Sequence, residues 1–368
     1  HIPVCDGHRL IGVVTERDLF ALQRVSVRGI HRAIADARTI DDLKRTSSDI
    51  HRLAHSILGQ GVSAEHMTLI ISTLNDALVR QVLLIEASRF DLEGLRWGWL
   101  AFGSEGRFEQ TISTDQDNGL IFECGSDKTD SVRSRLLSFA QDVNRALDAC
   151  GFPLCKGNIM AGNPHWCLSV QEWRGRFDQW LANTDPQALL SAVIFFDFRN
   201  LHGDESLAES LRQHLSESVL VNSRFQRQLA QYALENKPPL GLISDFITED
   251  EGDGRGTIDL KKSGARLFTD AARVLALAAG VTHTNTVQRL RQAATTLQMP
   301  VGEIDSIVEA FYFIQTLRLR GQMTQGSELK QPNRLDPATL NEVDRRILKE
   351  SLRQLRKLQS RLALDYQL

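Results

Sequence analysis

Two apolar stretches and the small polar motifs at their ends constrain this chain more than any other feature. Leu95–Phe102 runs into Gly103-Ser104, and Asp115-Gln116-Asp117 leads into Asn118–Phe122. Side chains alternate across a strand, so Asp115 and Asp117 project to one face. Small residues at a strand end let the backbone approach a phosphate closely, and free N–H groups at the next helix start can receive its charge. Arg107 can add a bidentate phosphate contact. Two carboxylates on one face suit Mg²⁺, which binds one or two carboxylates together with substrate phosphates. An Asp-x-Asp pair alone reads more often as a solvated turn; the strand-Gly-Ser turn upstream gives it weight.

The rest of the 368 residues divide by pattern into four parts. Residues 1–22 hold two short apolar runs about Asp6-Gly7, a hairpin signal, and then Thr15 as the cap of a helix start. Residues 23–91 read as helices: Ile30, Ile34, Ile40 and Leu43 recur loosely, and Met67, Ile70, Ile71, Leu74, Leu78, Val82 and Ile85 recur at steps of three and four, with Ser63 as N-cap. Residues 92–235 alternate strand and helix, with helix Val132–Cys150, an extended stretch over Leu154–Val170, and helical pattern over 175–235 around the apolar run Ala192–Phe198. Residues 236–368 are helical almost throughout after an acidic, Gly-rich loop at Asp245–Gly256. In the last helix Val343, Ile347, Leu348, Leu352, Leu355 and Leu362 are placed on one face. The expected fold is thus α/β plus α: a mixed sheet with a helical N-terminal segment and a C-terminal helical bundle.

Composition removes several function classes. The formal net charge is −3, so no global basic field marks a nucleic-acid binder. No apolar run approaches the length of a membrane helix. Five cysteines without a CxxC pair argue against a zinc site or disulfide framework and for reduced thiols, hence a cytoplasmic location. The absence of an initiator Met suggests a fragment.

The motif Gly103-Ser104-Glu105-Gly106-Arg107-Phe108-Glu109-Gln110, followed by Thr114-Asp115-Gln116-Asp117-Asn118, resembles the nucleotidyltransferase fold of the DNA polymerase beta superfamily. It resembles more closely the CBS-linked nucleotidyltransferases related to bacterial PII-protein uridylyltransferases. Cys155–Pro164, Phe195–Arg199 with His202-Gly203-Asp204, and Asp259–Lys262 match the same family. Leu10–Asp18 resembles the closing half of a CBS module, in which the Thr15 and Asp18 positions can contact an adenine nucleotide's ribose. The resemblance implies Mg²⁺ on Asp115 and Asp117, a nucleoside triphosphate held by Gly103, Ser104 and Arg107, a helical substrate-binding domain, and pairing of CBS modules into a homodimer.

One departure stands out. Active members of the superfamily usually carry a third carboxylate on a later strand, expected near Phe152–Val170, and that stretch contains no acid. Asp197 is the candidate replacement as a third catalytic acid, with Glu123 beside it; the other reading of Asp197 is a buried partner of Arg199 or another arginine. Lys156 is placed at the triphosphate or in solvent. Lys261 and Lys262 read as a solvated helix start or as substrate contacts, and His165 and Trp166 as a base-stacking platform or core. The resulting expectation is an enzyme moving a nucleoside monophosphate from a triphosphate to a protein or small-molecule hydroxyl. Its rivals are a nucleotide-binding regulatory module without turnover and, against the acidic charge, an RNA-terminal nucleotidyltransferase.

Overall fold

The computed structural model describes residues 2–7, 9–14, 26–182, 192–241, 245–249, 255–324 and 331–368. It opens with an antiparallel hairpin, β1 (Ile2–Asp6) and β2 (Arg9–Val14), turning at Gly7 with φ of +61°. The expected helix start at Thr15 and the Asp18 position lie outside the described residues, as do residues 250–254 of the acidic loop.

Three N-terminal helices follow: α1 (Val27–Asp36), α2 (Ile40–Gly59) and α3 (Ala64–Ala87). Their caps are those the sequence offers. Thr39 and Asp42 form a reciprocal capping box, and the Ser63 hydroxyl accepts from the His66 N–H. Helix α3 is long and apolar enough to cross a membrane by length and composition, an exception to the expectation that no such stretch exists. In the structure it lies against the sheet domain, with Met67, Leu74, Leu78, Val82 and Leu83 buried and Asp76 ion-paired to Arg199.

The central sheet has four strands. β3 (Arg96–Ala101) lies between β4 (Asn118–Glu123) and β6 (Arg199–Gly203) and is antiparallel to both; β5 (Cys167–Ser169) runs parallel to β4. A single helical turn, α4 (Gly103–Gly106), leaves β3, and α5 (Thr129–Ala149) connects β4 to the loop before β5. Strand alternation sorts the core in two. Trp99, Ala101, Leu120 and Phe122 pack with α1–α3 and α5, whereas Leu100, Phe102 and Ile121 pack toward the C-terminal half. Helices α6 (Val170–Ala182) and α7 (Glu205–Leu220) cover that second face, and α8 (Ser223–Glu235) packs on α7.

Sequence and structure part at three places here. Leu154–Val170 is mostly turns and contributes only the three residues of β5. The apolar run before Arg199 is a 3₁₀ turn, Val193–Asp197, and the polar Arg199–Gly203 after it is an edge strand that no alternation announces. In the last helix Leu348, Leu352, Leu355, Leu358 and Leu362 are buried, but Val343 and Ile347 stand 67% and 40% exposed, one stripe off that face.

The C-terminal half is helical: α9 (Arg266–Ala278), α10 (Thr286–Thr296), α11 (Val301–Thr324) and α12 (Glu342–Asp365), tied by the two-residue pair β7 (Ile258–Asp259) and β8 (Arg334–Leu335). Helix α8 packs on α9 and α12, so it joins this bundle from before residue 236.

Gly106 fixes how closely α4 meets the 3₁₀ turn. A Cβ built there would fall 1.8 Å from the Asp197 carbonyl oxygen and 2.8 Å from that of Ala101. We expect Gly106→Ala to cost about 1–3 kcal/mol, the range for overpacking. Gly175→Ala, within α6 where nothing lies within 4 Å of the added carbon, should gain up to about 1 kcal/mol. Thermal melts of both variants check this; equal melting temperatures would refute the packing argument.

Candidate functional site

Residues 114–117 are not in a regular strand, yet they extend the alternation of β4. The Phe102 N–H donates to the Asp117 carbonyl (2.9 Å), and the Gln116 N–H donates to the Pro153 carbonyl (3.1 Å). The Gln116 side chain is buried on the α5 side, where its amide donates to the Asn144 and Phe152 carbonyls (3.0 and 2.8 Å) and accepts from the Asn144 amide (2.8 Å). With Gln116 fixed inward, Asp115 and Asp117 fall on the opposite side and line a cavity of about 500 Å³ with Gly103 and Ser104. Gly103 has φ of +55°, and a Cβ there would come within 3.2 Å of an Asp117 carboxylate oxygen, so the carboxylate rests directly against the backbone turn.

Asp115, Asp117 and Cys155 form a group whose potential ligand atoms all lie within 4.8 Å of one another. The Cys155 thiol donates to the Asp117 carboxylate (3.3 Å). Burial first and Asp115 second push the Asp117 carboxyl up to about 7, while burial with Asp117 nearby pushes the thiol up to about 11. A carboxyl held up in this way beside a second carboxylate marks a site short of positive charge. Their oxygens are the hard donors that Mg²⁺ takes, and the protonated thiol is not.

The cavity is closed by the C-terminal half. Lys261, Lys262, Arg266, Arg273, Gln315, Arg318 and Asn333 line it opposite the sheet. Lys261 and Lys262 begin the helical run after β7, their N–H groups donating to the Asp259 carboxylate (2.9 and 3.0 Å), and the Lys261 ammonium acts on Asp117. The walls are joined by direct bonds: the Gln322 amide donates to Thr111 Oγ1 (3.1 Å) and accepts from the Ser113 N–H (3.3 Å).

A largely buried ionic cluster, centred on Asp197, reaches the cavity wall through Arg107 and Arg273. Asp197 meets three guanidinium groups, those of Arg107, Arg273 and Arg289. Arg107 also pairs with Glu109 (2.8 Å) and Arg273 with Asp270 (2.7 Å). Glu109 accepts from the Thr286 N–H (2.6 Å), and Thr284 Oγ1 donates to the Gly106 carbonyl (2.6 Å). The arginines outweigh burial and hold Asp197 far below the usual carboxylate range.

This corrects the expectation for Asp197. Both its oxygens are committed to arginines and it does not line the cavity, so it is no third acid beside Asp115 and Asp117; the alternative of a buried arginine partner is what the fold contains. Glu123 is likewise remote, ion-paired to Arg96 at the other end of β4. Lys156 is exposed and absent from the cavity wall, because Cys155–Asn158 forms a turn that leaves it in solvent. Arg107 does line the cavity, although Glu109 and Asp197 already hold it. Trp166 is a packing residue: its ring lies 4.2 Å from Phe195 and its Nε1–H donates to the Asn158 carbonyl (3.1 Å). Sequence reasoning missed Cys155, Gln315, Arg318 and Asn333, which stand on a loop or on a helix face whose partner only the tertiary fold supplies.

Residues 48–187 match the family described as "Putative nucleotidyltransferase DUF294", and residues 223–366 match the one described as "Putative nucleotidyltransferase substrate binding domain". No protein of curated function matches the chain. The second match begins with helix α8, as the packing of the bundle does.

Glu105, in α4 behind the carboxylate pair, is fully buried with Oε1 lacking a partner, and burial, with Asp76 adding to it, pushes its carboxyl up to about 8. A carboxyl whose folded pKa is raised keeps a proton that the unfolded chain has lost. Stability from this group is therefore full below about 4.5 and falls as pH rises toward 8. Glu105→Gln should show a smaller drop in melting temperature between pH 5 and pH 8 than the parent. Parallel pH profiles would show that Glu105 is ionised in the fold.

Proposed function

We propose that this chain, which carries a DUF294-type nucleotidyltransferase domain followed by its substrate-binding domain, transfers a nucleoside monophosphate from a Mg²⁺-bound nucleoside triphosphate to a hydroxyl of a protein or small-molecule acceptor. The reaction is of the kind carried out by PII-protein uridylyltransferases. The observation that carries this reading is the carboxylate pair Asp115–Asp117 set against the Gly103-Ser104 turn in a cavity that Lys261 closes.

Each residue has a physical task in it. Asp115 and Asp117 would hold the cation, whose chemistry is to neutralise the phosphates and stabilise the leaving pyrophosphate. Gly103 lets the phosphate chain lie against the start of α4, where main-chain N–H groups and Ser104 are at hand. Lys261 brings positive charge from the opposite wall. The acceptor oxygen bonds to the α-phosphorus as the bond to the β-phosphate oxygen breaks, and the hydroxyl proton passes to solvent.

A specific observation supports a second reading, a nucleotide-binding regulatory module without turnover. β5 presents Cys167, Leu168 and Ser169 where superfamily members place an acid, and Asp197 and Glu123 are engaged elsewhere. Two carboxylates are enough to hold a metal-nucleotide.

Calorimetric titration of nucleoside triphosphates with and without Mg²⁺ tests both. Mg²⁺-dependent binding is expected in the parent, with a loss of about tenfold or more in Asp117→Asn, which removes one ligand charge and keeps the shape. Equal Mg²⁺-dependent affinity in the two proteins, or tight binding without a divalent ion, would refute the assignment. Pyrophosphate release in the presence of acceptor decides between transferase and regulatory module.

A further inference from the structure

Arg318 differs from the other guanidinium groups around the cavity. It is 7% exposed and lines the wall, and among the described residues no carboxylate lies within 4.0 Å of it. Arg107 and Arg273 each meet two carboxylates. Arg318 is held by neutral groups only: Nε donates to Asn333 Oδ1 (3.0 Å) and Nη1 to Gln315 Oε1 (2.6 Å). These amides fix its direction without cancelling its charge, and among the described residues Nη2 has no acceptor. Burial pulls its pKa down to about 10. A buried charge without a directly paired carboxylate is costly, and the fold keeps this one.

In the nucleotide reading the phosphate chain lies at the Gly103-Ser104 turn against Asp117, and Arg318 belongs to another wall of the same cavity, that of the C-terminal half. Arg318 also shares Asn333 with Gln322, which holds Thr111 and Ser113, so it stands on the wall at the approach to the carboxylate pair. We propose that Arg318 receives an oxyanion, phosphate or carboxylate, carried by the acceptor molecule beside the hydroxyl that takes the nucleotidyl group. This rests on the nucleotide reading above and names the class of its second substrate: an anionic acceptor.

The test is calorimetric titration of inorganic phosphate, and separately of malonate, into protein saturated with Mg²⁺ and a non-hydrolysable nucleoside triphosphate analogue. At least one anion should bind alongside the analogue, and which one binds better identifies the acceptor's anionic group as phosphate or carboxylate. Arg318→Gln should weaken that binding by about tenfold or more, leave analogue affinity unchanged, and not lower the melting temperature, whereas Arg273→Gln should lower it clearly. Anion binding unaffected by Arg318→Gln, or absent from the parent, would overturn the proposal. Displacement of the anion by the analogue would assign Arg318 to the nucleotide's own phosphates and overturn it too. A melting temperature lowered as far as in Arg273→Gln would make Arg318 a structural residue. If the analogue does not bind at all, the nucleotide reading falls and the acceptor assignment with it, even where phosphate still binds through Arg318.

Discussion

The arrangement depends on one ionised carboxylate in the protein interior. Asp197 carries its charge at zero exposure because three guanidinium groups surround it, and these arrive from both halves of the chain: Arg107 from the loop after α4, Arg273 from α9 and Arg289 from α10. A buried carboxylate without such company would be strongly disfavoured, and removing one partner of a buried pair costs about 3–5 kcal/mol. Counted with Glu109 and Asp270, three positive and three negative groups balance. The cluster therefore fixes the register between the sheet domain and the helical bundle, and the distance across the cavity follows from it. Hydrophobic contact between the halves, through Phe102, Phe195, Phe268 and their neighbours, supplies the bulk of the attraction without direction.

The second constraint is local. Asp115 and Asp117 both face the cavity because the residue between them cannot. Gln116 is saturated by Asn144 and the Phe152 carbonyl, and Asn118 is held by Asn144 and the Ala161 N–H. The same polar inset pins the loop carrying Cys155, so the thiol beside Asp117 belongs to the support of the carboxylate. Buried amides in such a network impose geometry at modest net energy, since each replaces bonds to water.

Much of this was legible in the sequence, for identifiable reasons. The two strands at Leu95–Phe102 and Asn118–Phe122, the helices at Ala64–Ala87 and Thr129–Ala149, and the helical C-terminal half all show as apolar spacing, a local property. Gly103, Ser104, Asp115 and Asp117 could be grouped because strand geometry brings them together over a short span. β6 escaped notice because Arg199–Gly203 is polar and short, and its pairing with β3 is a long-range choice. Asp197 showed its acidity but not its neighbours, and the apolar run around it suits a buried charge only once Arg273 and Arg289 are known to reach it. Arg318 was silent for the opposite reason: on α11 it is one charged residue among many, and only the absence of a carboxylate near it in the fold gives it meaning.

The bonds from Gln322 to the Thr111–Ser113 segment, with Asn333 accepting from the same Gln322 amide, have a consequence for biogenesis. A ribosome adding about 5–20 residues per second takes roughly ten to forty seconds to travel from Asp117 to Asn333. Over that interval the carboxylate pair, with Lys261 and its companions still to come, faces water on an open sheet face. A nascent chain can thus acquire its strands early and remain without a closed cavity until the last helices emerge. A cavity with walls from both halves of the chain is completed only near the end of synthesis.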